Sequence, residues 1–173
     1  AGALPLEADE HLLFPAYHCG SELDPVLRRG ISVRFYRVDA ELNADLGSIR
    51  GLLGPKTRGI FVTHYLGFPQ DLEALAALCA EAGLWLIEDC AHSLYSTFRG
   101  RPTGSAGDLA VFSLRKLLPV PDGGALLVNN PALPLPPNGA HPPRLELLRW
   151  VKGRIEHALD LRGGPVGRAA NRA

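Results

Sequence analysis

The 173-residue sequence contains no methionine, only three cysteines and no excess of either charge. Its 18 basic and 18 acidic residues balance, so the formal net charge is zero. Surfaces that bind nucleic acid or anionic lipid present an excess of lysine and arginine, so we expect neither partner. No apolar run approaches the ~20 residues of a transmembrane helix, and no signal peptide opens the chain, so no membrane association is predicted.

The cysteines Cys19, Cys79 and Cys90 are odd in number and unpatterned, which predicts reduced thiols in a cytoplasmic protein. The lack of a start methionine, together with an opening that enters a strand directly, predicts a piece of a longer protein. Because no G-x-G-x-x-G follows a strand, a dinucleotide-binding site is disfavoured. The residues that could bind zinc form no paired C-x-x-C or H-x-x-x-H set, so no metal site is predicted among them: His18, Cys19, His64, Asp89, Cys90 and His92.

Short apolar runs predict the strands of a buried sheet, at residues 12–17, 32–39, 59–65, 84–90, 109–114 and 125–129. One helix is predicted between the third and fourth runs, capped by Asp71 and ended by Gly83. Its apolar positions recur at helical spacing: Leu72, Leu75, Leu78, Cys79 and Ala82. A second helix is predicted from about Glu22 to Arg29. This alternation predicts an α/β fold, a three-layer α/β/α sandwich around a mostly parallel sheet.

The chain divides into four predicted segments. Residues 1–130 carry the strand and helix pattern of one domain. Residues 131–143 are proline-rich and aperiodic, which is typical of a linker or surface loop. Residues 144–161 carry apolar side chains on one helical face and predict an amphipathic helix. Residues 162–173 are predicted to be a frayed tail.

Polar residues follow two of the predicted strands, at the sheet edge where α/β proteins bind ligands. Asp89 ends one strand, and it could face a cationic ligand or simply cap a helix beginning near Ala91. His92 lies three residues on, where a helical turn would place it on the same side. Ser113 and Lys116 follow another strand and together suit an anionic group such as phosphate. Ser113 could equally bond only to backbone, and His92 could be an ordinary surface histidine.

Four stretches taken together resemble the DegT/DnrJ/StrS family of sugar aminotransferases: "FPAYHCGSELDPVL", "GIFVTHYLGFPQDLEALAALCAEAGLWLIEDCAHS", "RGRPTGSAGDLAVFSLRK" and "DGGALLVNN". The resemblance covers about residues 14–130. It implies a fold type I, pyridoxal-phosphate-dependent enzyme, represented here by an incomplete large domain. It also implies that the strand "ALLVN" is antiparallel to its neighbours, and that the intact protein is a homodimer.

The resemblance implies a role for several residues. Lys116 matches the lysine that bonds covalently to pyridoxal 5'-phosphate and then moves protons. Asp89 matches the aspartate that pairs with the ring nitrogen, and His92 lies beside the ring. Ser113 matches the serine that helps to hold the phosphate, while His64 is expected only near the cofactor.

The sequence departs from the family pattern at three places. Cys19 stands where an aromatic ring often stacks on the cofactor, and Tyr17 or His18 could substitute. The spacing from Ser113 to Lys116 is two residues shorter than usual. The family's first phosphate loop and its C-terminal small domain have no match.

The resemblance implies an aminotransferase that moves an amino group from an amino acid to a nucleotide-linked keto sugar. Lys116 favours this reaction over that of related dehydratases, in which histidine replaces the lysine. The alternative is a non-catalytic family member or fragment that serves as a binding or interaction module.

Overall fold

The computed structural model describes residues 4–134. Its strands are β1 (His11–Pro15), β2 (Ser32–Tyr36), β3 (Thr57–Thr63), β4 (Trp85–Asp89), β5 (Thr97–Phe98), β6 (Arg101–Pro102), β7 (Leu109–Ser113) and β8 (Gly124–Val128). Its helices are α1 (Asp24–Leu27), α2 (Leu46–Leu52), α3 (Leu72–Ala82) and α4 (Leu114–Leu117). None of the helices within residues 4–134 is long and apolar enough to cross a bilayer.

Six strands form one sheet in the order β2-β1-β3-β4-β7-β8, and β5 and β6 form a separate hairpin. The first five strands of the sheet pair in parallel, whereas β8 pairs antiparallel to β7. The predicted mostly parallel sheet and antiparallel last strand are therefore confirmed. Because the parallel strands run in one direction, their carboxyl ends meet at one edge, which gathers the residues that follow them.

Helices pack against both faces of this sheet, two on one face and only the four-residue α1 on the other within the described residues. On one face, Ile49 of α2 and Leu75 of α3 pack with strand residues such as Ile60. On the other face, Val26 of α1 packs with a cluster that includes Phe14 and Phe61. The rings of Phe14 and Phe61 stack with their centroids 4.4 Å apart.

Helix α3 begins and ends at the predicted residues. The Asp71 carboxylate accepts a hydrogen bond from Ala74 N (3.2 Å), and Gly83 ends the helix with a left-handed φ of 64°. Leu72, Leu75, Leu78 and Cys79 are buried as expected. Ala82, in contrast, is exposed.

Other predictions need correction. The strands β2 and β8 are largely exposed rather than buried, because they are the two outermost strands of the sheet. Helix α1 is shorter than predicted, and α2 and the β5–β6 hairpin were not anticipated. The linker beyond residue 134, the predicted amphipathic helix at 144–161 and the tail at 162–173 lie outside the described residues.

Candidate active site

The residues predicted to carry chemistry come together at the carboxyl edge of the sheet. Asp89 ends β4, Ser113 ends β7, and Lys116 lies in α4 immediately after β7. Asp89, Ser113 and Lys116 line one cavity of about 540 Å³, whose remaining walls are largely apolar. Asp89, His92 and Lys116 also line an adjoining cavity of about 270 Å³.

Lys116 and His92 contact each other directly, with Lys116 Nζ 3.0 Å from His92 Nε2. Because an ammonium group only donates hydrogen bonds, the imidazole nitrogen accepts here. Both side chains are exposed, and the lysine stands in a one-turn helix rather than in the expected turn. His92 lies in an irregular loop, so the helix expected near Ala91 is absent from this part of the described chain.

Asp89 is half-buried, and its surroundings are short of positive charge. Burial raises the pKa of the Asp89 carboxyl, and the nearby Glu22 carboxylate raises it further. A hydrogen bond from Ala91 N (2.9 Å) and the charges of Lys116 and His92 act in the opposite direction without cancelling the rise. Within the described residues no group donates a hydrogen bond to the second oxygen, Oδ2. The site therefore suits a ligand that presents a cationic N–H to this carboxylate.

Ser113 is half-buried at the end of β7, where it lines the larger cavity beside Lys116. Its side chain does not cap helix α4. The alternative in which this hydroxyl bonds only to backbone therefore finds no such bond at the start of α4.

Sequence analysis missed Glu22, which lines both cavities together with Cys19. The Cys19 thiol donates a hydrogen bond to Glu22 Oε2 over 2.7 Å. Burial raises the pKa of Glu22, but the hydrogen bonds from Cys19 and from the backbone N–H of Glu22 itself together hold the pKa below its usual value. Glu22 lies in the loop after β1, where no local sequence pattern marks it as a site residue. Only the folded position of this loop and of α1 brings it to the cavities.

The two aromatic candidates for stacking on a ligand, Tyr17 and His18, line the smaller cavity and also contact other rings. Tyr17 tilts against Tyr65 with 5.5 Å between ring centroids, and His18 stacks on Phe35 at 5.2 Å. Cys19 itself borders both cavities.

Sequence analysis also missed Glu88, a carboxylate buried next to His64. His64, Glu88 and Cys90 place potential metal-ligand atoms within 4.8 Å of one another. However, both ring nitrogens of His64 and both oxygens of Glu88 already take part in hydrogen bonds. Burial also raises the pKa of the Cys90 thiol to about 12, which disfavours the thiolate that a metal needs. The polar atoms of His64 and Glu88 are therefore satisfied by hydrogen bonds within the protein.

The profile of the DegT/DnrJ/EryC1/StrS aminotransferase family matches residues 3–134. The chain belongs to this family. Among its relatives, L-glutamine:scyllo-inosose aminotransferase of Streptomyces griseus is 40% identical over 125 residues, covering 71% of this chain and 26% of the relative. The dTDP-4-dehydro-2,3,6-trideoxy-D-glucose 4-aminotransferase of Saccharopolyspora spinosa is 32% identical over 133 residues, covering 75% of this chain and 34% of the relative.

Solved structures of aminotransferases share the fold of this DegT/DnrJ/EryC1/StrS chain. The aminotransferase TlmJ from Streptoalloteichus hindustanus is 34% identical with a TM-score of 0.70, and the match covers 75% of this chain and 36% of TlmJ. The fold type expected from the sequence is thereby confirmed. The chain spans about a third or less of the length of the curated relatives named above.

Proposed function

We propose that this chain forms part of a pyridoxal-phosphate-dependent aminotransferase that transfers an amino group from an amino acid to a nucleotide-linked keto sugar. The observation that carries the proposal is the meeting of Lys116 and Asp89 at one cavity, in a chain of this family. The Saccharopolyspora spinosa relative is named for a dTDP-linked keto sugar. A Vibrio cholerae relative, 26% identical, is named GDP-perosamine synthase, which also points to nucleotide-linked sugars.

The described residues fit the ring end of pyridoxal phosphate. Asp89 is a half-buried carboxylate whose Oδ2 has no donor among the described residues, and a protonated pyridine nitrogen would supply one. Lys116 offers a primary amine to the same cavity, and Ser113 offers a hydroxyl to a phosphate. When bound, this cofactor accepts the electrons released as a substrate C–H bond breaks.

The chain's own groups would then handle protons. Asp89 would hold a proton at the ring nitrogen, because an adjacent carboxylate favours the cationic form of that ring. Lys116, as a free amine, would take the proton from the substrate carbon that bears the amino group and would deliver it to a carbon of the cofactor. His92 would orient Lys116 through the 3.0 Å contact between Nε2 and Nζ.

We further propose that the protein acts as a cytoplasmic homodimer. The three cysteines are free, which suits a reducing compartment. Large apolar side chains beside the site are exposed, with Leu66, Phe68 and Tyr95 each at 73%. A second subunit that covered them would also help to enclose the smaller cavity, which Leu66 lines. Light scattering that finds only monomer in the longer protein would contradict this assembly.

Reductive trapping tests the cofactor assignment, because the sequence has only three lysines, Lys56, Lys116 and Lys152. After incubation of the longer protein with excess pyridoxal phosphate and borohydride, mass spectrometry should find the added mass on Lys116 among these three lysines. The matched control is Lys56, an exposed lysine paired with Asp9 at 2.9 Å. Lys56→Ala should leave the labelling unchanged, whereas Lys116→Ala should abolish it. Equal labelling of all three lysines would refute the proposed function.

A further inference from the structure

The side chain of Glu88 is buried on the face of β4 opposite to Asp89, and four hydrogen bonds surround it. Its Oε1 accepts from Ala106 N (2.9 Å) and Gly107 N (2.6 Å), and its Oε2 accepts from Gly104 N (2.7 Å). The fourth bond joins Oε2 to His64 Nε2 at 3.0 Å. The side chains of Glu88 and His64 are both 0% exposed. A buried carboxylate without such donors would be strongly unfavourable.

The hydrogen bonds of His64 fix its tautomer. Gln70 N donates to Nδ1 over 3.1 Å, so Nδ1 carries no hydrogen. Nε2 therefore holds the ring hydrogen and donates it to Glu88. The backbone of His64 is tied to the other carboxylate residue, because His64 N donates to Asp89 O at 3.1 Å. The histidine thus contacts both members of the Glu88–Asp89 pair.

The turn that Glu88 holds also supports the loop that carries His92. Thr103 Oγ1 donates to Ser93 O (2.6 Å), and Thr103 N donates to Ser96 O (3.0 Å). On its other side, Ser96 Oγ donates to Gly67 O (2.6 Å), in the segment that follows His64. The His92 loop is therefore clamped between two segments, and Glu88 and His64 fix both of them.

We propose that Glu88 and His64 form a positioning pair that sets the placement of Asp89, His92 and Lys116 for cofactor capture. The inference rests on the proposed function, which it deepens. The side chains of both residues are fully buried, and His64 also lies in the wall of the smaller cavity beside Asp89 and Lys116. Their effect passes through the turn at residues 104–107 and the loop at 91–96.

The chemistry requires a carboxylate at position 88 and an N–H donor at position 64. Each oxygen of Glu88 faces two donors, so the NH₂ group of a glutamine would oppose N–H groups on either side. At position 64, glutamine keeps an N–H near the place of Nε2, whereas leucine has a similar volume but no donor. His64→Gln is therefore the conservative variant and His64→Leu the disruptive one.

The borohydride trapping of Lys116 measures positioning without turnover. His64→Leu should lower the labelling of Lys116 at limiting pyridoxal phosphate by roughly tenfold to a hundredfold, because small displacements of reacting groups have effects of this size. His64→Gln should restore most of it. The matched control is His11→Leu, since His11 is also buried and bonded, to Thr57 Oγ1 at 2.9 Å, but begins β1 at the opposite edge. His11→Leu should lower stability and leave the labelling near that of the unmodified chain.

The outcomes separate this inference from the proposed function. If the longer protein without substitutions is not labelled at Lys116, the proposed function fails and the positioning role fails with it. If it is labelled and its His64→Leu variant is labelled equally well, only the positioning role is refuted. Equal losses in His64→Leu and His64→Gln would also refute it, because rescue by the donor would be missing.

A spectroscopic measurement covers the case in which His64→Leu does not fold. Long-range ¹H–¹⁵N spectra of the unmodified chain should show His64 with hydrogen on Nε2 and none on Nδ1. The opposite tautomer would overturn the proposal without any variant.

Discussion

Gly107→Ala should be among the most damaging single-methyl substitutions in the described chain. A Cβ at this position would lie 2.8 Å from the carbonyl oxygen of Leu86 and 3.2 Å from both Cγ and Oε1 of Glu88. The first contact is with backbone, so no side-chain rotation can relieve it. The turn would have to move away from β4, and the 2.6 Å bond from Gly107 N to Glu88 would lengthen or break.

The magnitude follows from two costs. Overpacking by one methyl group costs about 1–3 kcal/mol. Losing a hydrogen bond to a buried carboxylate costs about 1.5–3 kcal/mol. The free energy of unfolding should therefore fall by about 2.5–6 kcal/mol, a large part of the ~5–15 kcal/mol of a typical domain.

Urea unfolding followed by circular dichroism measures this change, and Gly51→Ala is the matched control. Gly51 lies in α2, and no atom stands within 4 Å of the place that a Cβ would take, so alanine meets no obstacle there. Since glycine is unfavourable inside helices, the free energy of unfolding of this variant should rise by about 0.5–1 kcal/mol. If the two variants unfold at midpoints within experimental error of each other, the argument from the Gly107 contacts is wrong.

Three further predictions concern the core and the two neighbouring carboxylates. Leu75→Ala should cost about 2–4 kcal/mol by the same unfolding assay, because a buried leucine leaves a cavity behind. The Glu88 carboxylate stabilises the fold above its usual pKa of 4.5, and this contribution is lost as the pH falls through its lowered native pKa. Below about pH 4.5, the free energy of unfolding of Glu88→Gln should therefore depend less steeply on pH than that of the unmodified chain. Asp89→Asn should raise the urea midpoint at neutral pH, because burial raises the pKa of Asp89 and so disfavours its charged form. In the longer protein, the same variant should bind pyridoxal phosphate but lose most turnover. A lower urea midpoint for Asp89→Asn would contradict the conclusion that the charge of Asp89 destabilises the ligand-free chain.

Sequence patterns predicted the parts of the fold whose signals come from residues close together in the chain. The apolar runs at β3 and β4 are distinctive because both of their faces are covered, and α3 carries a cap at Asp71 and a left-handed glycine at Gly83. Helix α2 was missed since "LGSIRGL" contains two glycines and little apolar periodicity. Its signal was the Asp45 cap, whose carboxylate accepts from Ser48 N at 2.9 Å.

The site was predictable in part for a similar reason. Asp89, Ser113 and Lys116 follow strand ends, and strand order alone brings such residues to one edge. Glu22 and Glu88 could not be assigned in this way, because their roles depend on segments distant in sequence. Glu88, for example, is satisfied by amides 16 to 19 residues further along the chain and by a histidine 24 residues before it.

The neighbouring carboxylates Glu88 and Asp89 show how environment separates a structural acid from one that awaits a ligand. Both leave water on folding, and burial acts to raise the pKa of each. At Glu88, the hydrogen bonds from His64, Gly107 and Gly104 outweigh burial and hold the pKa below its usual value. At Asp89, the bond from Ala91 and the nearby positive charges do not compensate, and the pKa stays raised. The fold therefore completes the hydrogen bonding of one carboxylate and leaves the other short of a cationic partner. That imbalance is a cost to the free chain, and a bound protonated ring nitrogen would remove it, which couples cofactor binding to the stability of this sheet edge.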